Sequence, residues 1–236
     1  MFSSTTHTDI ISQMDRRQSD YNKATPFPHI VIDNFMREDV VKDCLFSIES
    51  AASTMPWKQA DHSAQIKKRW ITDCAKMPEE AAKVVWWMNS CTMLNFVEQL
   101  TGIRGLISDA NNEGGGIHYS SSGGKLNVHV DFNTHPLGLT RRINALLFLN
   151  LDWNKTWNGD LELWKTDRSE CAVTIEPTFN KLVIFNTDDT SYHGWPKVLE
   201  CPDNRHRISI AMYYYTFEDE DSRRKINKRT GALFYD

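Results

Sequence analysis

Residues 126–133 read Leu126-Asn127-Val128-His129-Val130-Asp131-Phe132-Asn133, and their alternation has the period of a β-strand. Leu126, Val128, Val130 and Phe132 share one face, while Asn127, His129, Asp131 and Asn133 share the other. Short apolar or alternating runs follow at 143–151, 160–165, 171–175, 181–186, 192–198 and 206–217. Glycine and serine punctuate the chain just before, at Gly114-Gly115-Gly116 and from Ser120 to Gly124. Many short strands with no helical period between them predict an antiparallel sandwich or barrel.

Upstream of about residue 105 the pattern changes. Residues 26–35 (PFPHIVIDNF) read as an entering strand, with Ile30 and Ile32 alternating against polar neighbours. Val41, Leu45, Ile48 and Ala52 fall on one face at three- and four-residue steps, which predicts a helix over 38–53. A second helix is expected over 79–101, opened by Pro78 and stopped by Gly102. The segment between holds Lys67-Lys68-Arg69, a charge run that reads as a solvated face without a role. Residues 1–25 read as an arm. Residues 218–236, with Glu218-Asp219-Glu220-Asp221 followed by Arg223-Arg224-Lys225, read as a charged, solvated tail. The expected organisation is one domain over 26–217, with supporting helices at about 36–105 and a barrel at about 112–217.

Composition narrows the class further. The 236 residues include eight Trp and 11% aromatics, too many for a disordered chain. A formal charge of −4 gives no bulk reason to bind nucleic acid or an anionic membrane. Apolar runs such as Ala145–Leu149 fall far short of the ~20 residues that span a bilayer. The N-terminal stretch lacks the apolar segment of a secretory signal. Five scattered cysteines without a Cys-x-x-Cys pair predict free thiols in a reducing compartment, hence a cytoplasmic protein. Composition leaves the oligomeric state open.

The polar face of 126–133 carries the chemistry. His129 and Asp131, two residues apart on a strand, offer an imidazole and a carboxylate to one point in space. His193 follows a turn-like Thr187-Asp188-Asp189-Thr190 and precedes Gly194, where another backbone can approach closely. Two histidines and one carboxylate on strands suit the facial triad that binds non-haem Fe(II) and leaves positions open. Arg207 and Ser209 share a face of the last strand, and a guanidinium with a nearby hydroxyl suits the far carboxylate of a dicarboxylic co-substrate. Arg205 has the same parity and is a rival for that role. His118 reads as a polar loop residue, and Trp153, Trp157 and Trp164 as aromatic packing.

With these motifs in their order, the chain resembles the Fe(II)- and 2-oxoglutarate-dependent dioxygenases, particularly the prolyl 4-hydroxylase-like branch. Supporting matches are Asn158-Gly159-Asp160-Leu161-Glu162-Leu163, Lys181-Leu182-Val183-Ile184-Phe185 and the opening Pro26-Phe27-Pro28-His29. The resemblance covers roughly 112–217. It implies a mainly β protein, a double-stranded β-helix (jelly-roll) core with the N-terminal helices packed on it. It also implies Fe(II) held by His129, Asp131 and His193, and 2-oxoglutarate held by Arg207 and Ser209, with Tyr119 as a further contact. The activity it implies is O2-dependent hydroxylation of an unactivated C–H bond, releasing succinate and CO2, with ascorbate as an accessory reductant. Halogenating relatives replace the carboxylate ligand, so Asp131 points to hydroxylation. The expected substrate is a small molecule or amino-acid derivative, or a prolyl residue. The competing reading is a non-redox, cupin-like metal jelly-roll or a degenerate binding module, which has no reason to keep Arg207-x-Ser209 beside the His/Asp/His set.

Overall fold

The computed structural model describes residues 12–217 and 229–235. Four α-helices fall in the N-terminal part of the described residues, interleaved with the first strands: α1 (Met14–Lys23), α2 (Glu38–Ala51), α3 (Glu79–Met88) and α4 (Cys91–Thr101). The strands are β1 (His29–Ile32), β2 (Lys58–Gln59), β3 (Gln65–Ile71), β4 (Ile107–Ser108), β5 (Gly116–Val130), β6 (Thr140–Phe148), β7 (Leu161–Trp164), β8 (Cys171–Ile175), β9 (Lys181–Asn186), β10 (His193–Trp195), β11 (Arg207–Thr216) and β12 (Leu233–Phe234).

All strand pairs run antiparallel, in the order β1-β9-β6-β11-β5-β10-β7-β8, with β3 and β12 also on β5. The sheet curls because β5 serves two halves of it. Its first part, Gly116–Ser120, pairs with β11, and its second part pairs with β10. This is the jelly-roll core with a helical layer that the motifs imply.

Strand alternation partitions the core. In β9, Leu182 and Ile184 join the helical layer, while Val183 and Phe185 pack inside the barrel with Phe148, Leu161 and Leu163. Both faces of β9 are covered, which is why 182–185 is wholly apolar. In β11, Ile208, Ile210, Met212 and Tyr214 pack with α2, α3 and α4 residues, so Arg207, Ser209, Ala211 and Tyr213 point into the barrel. One backbone approach leaves no latitude: a Cβ at Gly116, where φ is +83°, would lie 2.1 Å from the Ile71 carbonyl oxygen.

The structure departs from the sequence expectations in four places. The helix expected over 79–101 is two, because Ser90 accepts from the Met93 amide and caps α4; Gly102, at φ +75°, does end it. The supposed arm contains α1, which packs on α4 and β1 and buries Tyr21, whose hydroxyl bonds to Asn186 Oδ1 at 2.6 Å. Lys67-Lys68-Arg69, read as a solvated face, lies within β3. The supposed tail returns to the sheet as β12, while 218–228 and 236 lie outside the described residues.

Candidate metal and co-substrate site

His193 lies directly across from His129 in the β10–β5 pairing, with ring centroids 4.5 Å apart. A Cβ at Gly194 would lie 2.8 Å from the Asn127 carbonyl oxygen, so the close approach expected there is real and brings β10 onto β5. The turn before β10 is tied by Asp188, whose Oδ1 accepts from the Thr190 amide at 2.7 Å and from the Ser191 hydroxyl at 2.9 Å. Asp131 is the first residue past β5.

Each imidazole is oriented by its neighbouring backbone. The Nδ1 of His129 meets the Asn127 carbonyl and that of His193 meets the Ser191 carbonyl, both at 2.9 Å. A carbonyl oxygen only accepts, so both Nδ1 atoms carry the proton and both Nε2 lone pairs are free. Those Nε2 atoms lie 3.5 Å and 3.4 Å from the Asp131 carboxylate oxygens, and the three donor atoms fall within 4.8 Å of one another. Two imidazoles and one carboxylate converging from buried strands form a donor set that fits a divalent iron.

The electrostatics keep these groups in ligand form. Burial opposes the charge on Asp131, but the attraction of Arg141, at 2.8 Å, leads the effects that outweigh it and hold the carboxyl well below its usual range. Asn144 Nδ2 donates to the same oxygen at 3.2 Å. Burial, partly offset by Asp131, pulls His193 down to about 4, and burial also pulls His118 well below its ordinary value. Both rings are therefore neutral when folded. Between pH 6.5 and 4 the unfolded chain takes up protons that the folded chain refuses, so stability falls as pH falls through that window. Urea melts of metal-free protein at pH 7, 5.5 and 4.5 should show the midpoint dropping steadily.

Arg141 went unnoticed in the sequence, and its only signal was a charge inside an apolar strand. It is 1% exposed, its guanidinium lies 3.4 Å from the Tyr213 ring centroid, and its Nε and Nη1 have no hydrogen-bond partner among the described residues. Without it, burial would act on Asp131 with only the imidazoles to offset it. Arg141→Met should therefore move the pH midpoint of Co(II) loading upward, followed by the visible spectrum of the bound metal.

Arg207 and Ser209 enter the same cavity from β11, beside His118 and Ser120 of β5. The Arg207 Nε donates to the Gly159 carbonyl at 2.7 Å, and the guanidinium lies 5.0 Å and 4.9 Å from the centroids of Phe148 and Trp195. Arg207 is 6% exposed and has no carboxylate partner among the described residues. Burial lowers its pKa to about 9, partly offset by Asp160. A positioned, buried cation without a protein anion fits a ligand carboxylate. Arg205 sits in the loop before β11, its carbonyl accepting from Cys201 Sγ, and is not among the cavity-lining residues.

Two expectations are corrected. Tyr119 lies on the opposite face of β5, against Trp57, His206 and Arg69, because alternation turns it away from His118 and Ser120. His118, read as a loop residue, lies in β5 and lines the cavity, its Nε2 3.0 Å from the Gly114 carbonyl. Trp153 and Trp157 do pack together, with Leu126, Trp195 and Leu199.

A second chamber of about 250 Å³ also borders His129 and Asp131, lined by Trp70, Phe132, Tyr213, Phe234, Gln65 and Lys68 among others. Phe234 of β12 stacks on His129 with centroids 5.0 Å apart, and Arg229 pairs with Asp189 at 2.7 Å. Phe234 and Arg229 thus bring the described end of the chain against the site, while residues 230–233 between them stay exposed.

Residues 115–215 match the family model described as the 2OG-Fe(II) oxygenase superfamily. A stretch of 79 residues is 32% identical to the prolyl 3-hydroxylase OGFOD1 of Mus musculus, covering 32% of this chain and 14% of that relative. The chain thus matches only a small part of the curated relative's length. Among solved structures, a prolyl hydroxylase from Trichoplax adhaerens, in complex with a hypoxia inducible factor oxygen degradation domain peptide fragment, superposes with a TM-score of 0.63 at 17% identity. It covers 90% of this chain and 93% of that one. A Pseudomonas putida prolyl-4-hydroxylase gives 0.60 at 18% identity, covering 87% and 100%.

Proposed function

We propose that this protein is a 2-oxoglutarate-dependent hydroxylase, a reading supported by the 2OG-Fe(II) oxygenase model matched over 115–215 and by a fold like that of prolyl 4-hydroxylases. The observation that carries the reading is the pairing of the His129/Asp131/His193 donor set with an anion-seeking Arg207 in one cavity. A metal jelly-roll of non-redox type uses the first and has no need of the second.

In this reading His129, Asp131 and His193 would hold the metal, and Arg207 with Ser209 would take the far carboxylate of 2-oxoglutarate. When bound, Fe(II) with 2-oxoglutarate and O2 supplies oxidative decarboxylation coupled to hydroxylation of a C–H bond. The chain's own residues hold geometry and charge. Arg141 keeps Asp131 ionised, the Asn127 and Ser191 carbonyls fix both imidazole tautomers, and Phe148, Leu161 and Trp195 help keep the co-substrate end dry.

The substrate enters the aromatic chamber beside His129 and Asp131. At about 250 Å³ it lies at the small end of ligand pockets and admits one compact group, a prolyl ring or a small amino-acid derivative. The test is succinate release from Fe(II)-loaded protein across a panel of proline-containing peptides and free amino acids. Succinate above the substrate-free rate, matched by a substrate mass gain of one oxygen, supports the reading; absence of any 2-oxoglutarate turnover by well-folded, iron-loaded protein sinks it.

A further inference from the structure

Lys68 belongs to the charge run that reads as a solvated face, yet it lines the cavity of Arg207 and Ser209 and also the chamber beside His129 and Asp131. The cause is local. The β3–β5 pairing shifts register between Ile66 and Lys68, and Lys67 sits at φ +50°. Such a bulge re-aims the side chains that follow it. Lys67 is exposed, with its Nζ donating to the Ser122 carbonyl at 2.9 Å, and Arg69 lies over Tyr119 on the outer face. Only Lys68 of the three turns inward.

Its surroundings are specific. Lys68 is in register with Ser120 on one side of β5, and Arg207 is in register with Ser120 on the other. Two cations therefore flank one serine across three adjacent strands, all facing the same cavity. Arg141 is matched by Asp131. Lys68 and Arg207 have no carboxylate partner among the described residues, and the Lys68 side chain makes no hydrogen bond among them, its backbone pairing aside. An unpartnered ammonium inside a barrel is costly unless a ligand supplies the anion. Two such cations in one cavity suit a ligand with two carboxylates, and Lys68 is the one that also borders the metal ligands.

We propose that Lys68 is a second co-substrate-binding residue, receiving the 2-oxo-acid carboxylate of 2-oxoglutarate near the metal while Arg207 and Ser209 receive the distal one. This rests on the 2-oxoglutarate reading above, and the test separates the two. Anaerobic Fe(II)-loaded protein is titrated by calorimetry with 2-oxoglutarate and with 2-oxobutyrate, which keeps the 2-oxo-acid end and lacks the distal carboxylate. Lys68→Met should retain its iron and weaken both ligands by a similar factor, about 10- to 100-fold, the worth of a hydrogen bond to a charged group. Lys68→Arg should restore most of the affinity. Arg207→Met should weaken 2-oxoglutarate and leave 2-oxobutyrate nearly unchanged.

Wild-type protein that binds 2-oxoglutarate, together with a Lys68→Met that binds it equally well, overturns the lysine assignment alone. So does a Lys68→Met that loses affinity for 2-oxoglutarate but not for 2-oxobutyrate, or one that loses iron itself. Iron-loaded wild type that binds neither ligand overturns the co-substrate reading and this one with it. Lys68→Gln, smaller in its change of polarity, is carried alongside in case the methionine variant fails to fold.

Discussion

His129→Ala is expected to leave a folded protein that retains no Fe(II) after dialysis and releases no succinate above background. The substitution removes one of three donors that converge within 4.8 Å, leaving only Asp131 and His193 to hold the metal. The loss should exceed the ~10- to 100-fold that removing an outer-shell partner costs. The fold should persist, because Asp131 keeps Arg141 at 2.8 Å and stays ionised, and because the β5–β10 pairing is made by backbone. His118→Ala is the matched control. That ring also lines the cavity, but its Nε2 is engaged with the Gly114 carbonyl, so the variant should keep its iron. Iron content, circular dichroism and the weak visible band formed anaerobically with 2-oxoglutarate read the outcome. A His129→Ala protein with full iron and full turnover would refute the three-ligand assignment.

Arg207→Met should weaken 2-oxoglutarate binding by about 10²- to 10³-fold while raising the melting temperature of the ligand-free protein. The first effect follows from removing one partner of a desolvated charge pair, which typically costs ~2–5 kcal/mol. The second runs the other way for the same reason. Without ligand the guanidinium is buried between Phe148 and Trp195, and burial already depresses its pKa. Replacing a buried, unpaired charge by an apolar side chain of similar length removes that penalty. Stability is held below its maximum where binding needs it. Thermal melts with and without 2-oxoglutarate measure both: the variant should melt higher alone and gain little on adding the co-substrate. A variant that melts lower and binds normally would place the anion site elsewhere. Arg205→Met, altering a residue outside the cavity, should change neither quantity.

Much of this site was legible because its residues obey local rules. A strand has period 2, so His129 and Asp131 had to share a face, and Arg207 had to share one with Ser209. The wholly apolar run 182–185 announced a strand covered on both sides, and Gly102 announced a helix end. These are properties of three to eight neighbouring residues, and one chain carries them without reference to anything distant.

Other features depend on register, which no local pattern encodes. Tyr119 and His118 are neighbours on one strand, and which of them faces the cavity depends on how β5 aligns with β11 and β3. The bulge at Lys67 inverts the parity of a charged run and turns Lys68 from surface to cavity. Arg141 acquires its purpose only when folding brings Asp131, ten residues earlier, and Tyr213, seventy-two residues later, to its guanidinium. Phe234 reaches His129 only because β12 pairs with β5. The sequence by itself determined the strand-rich barrel, the three donors and the arginine, since each is written in short-range spacing. Only the tertiary structure decided which charges face the cavity, because side-chain direction in a sheet is set by pairing between strands far apart in the chain, and one bulged residue reverses it.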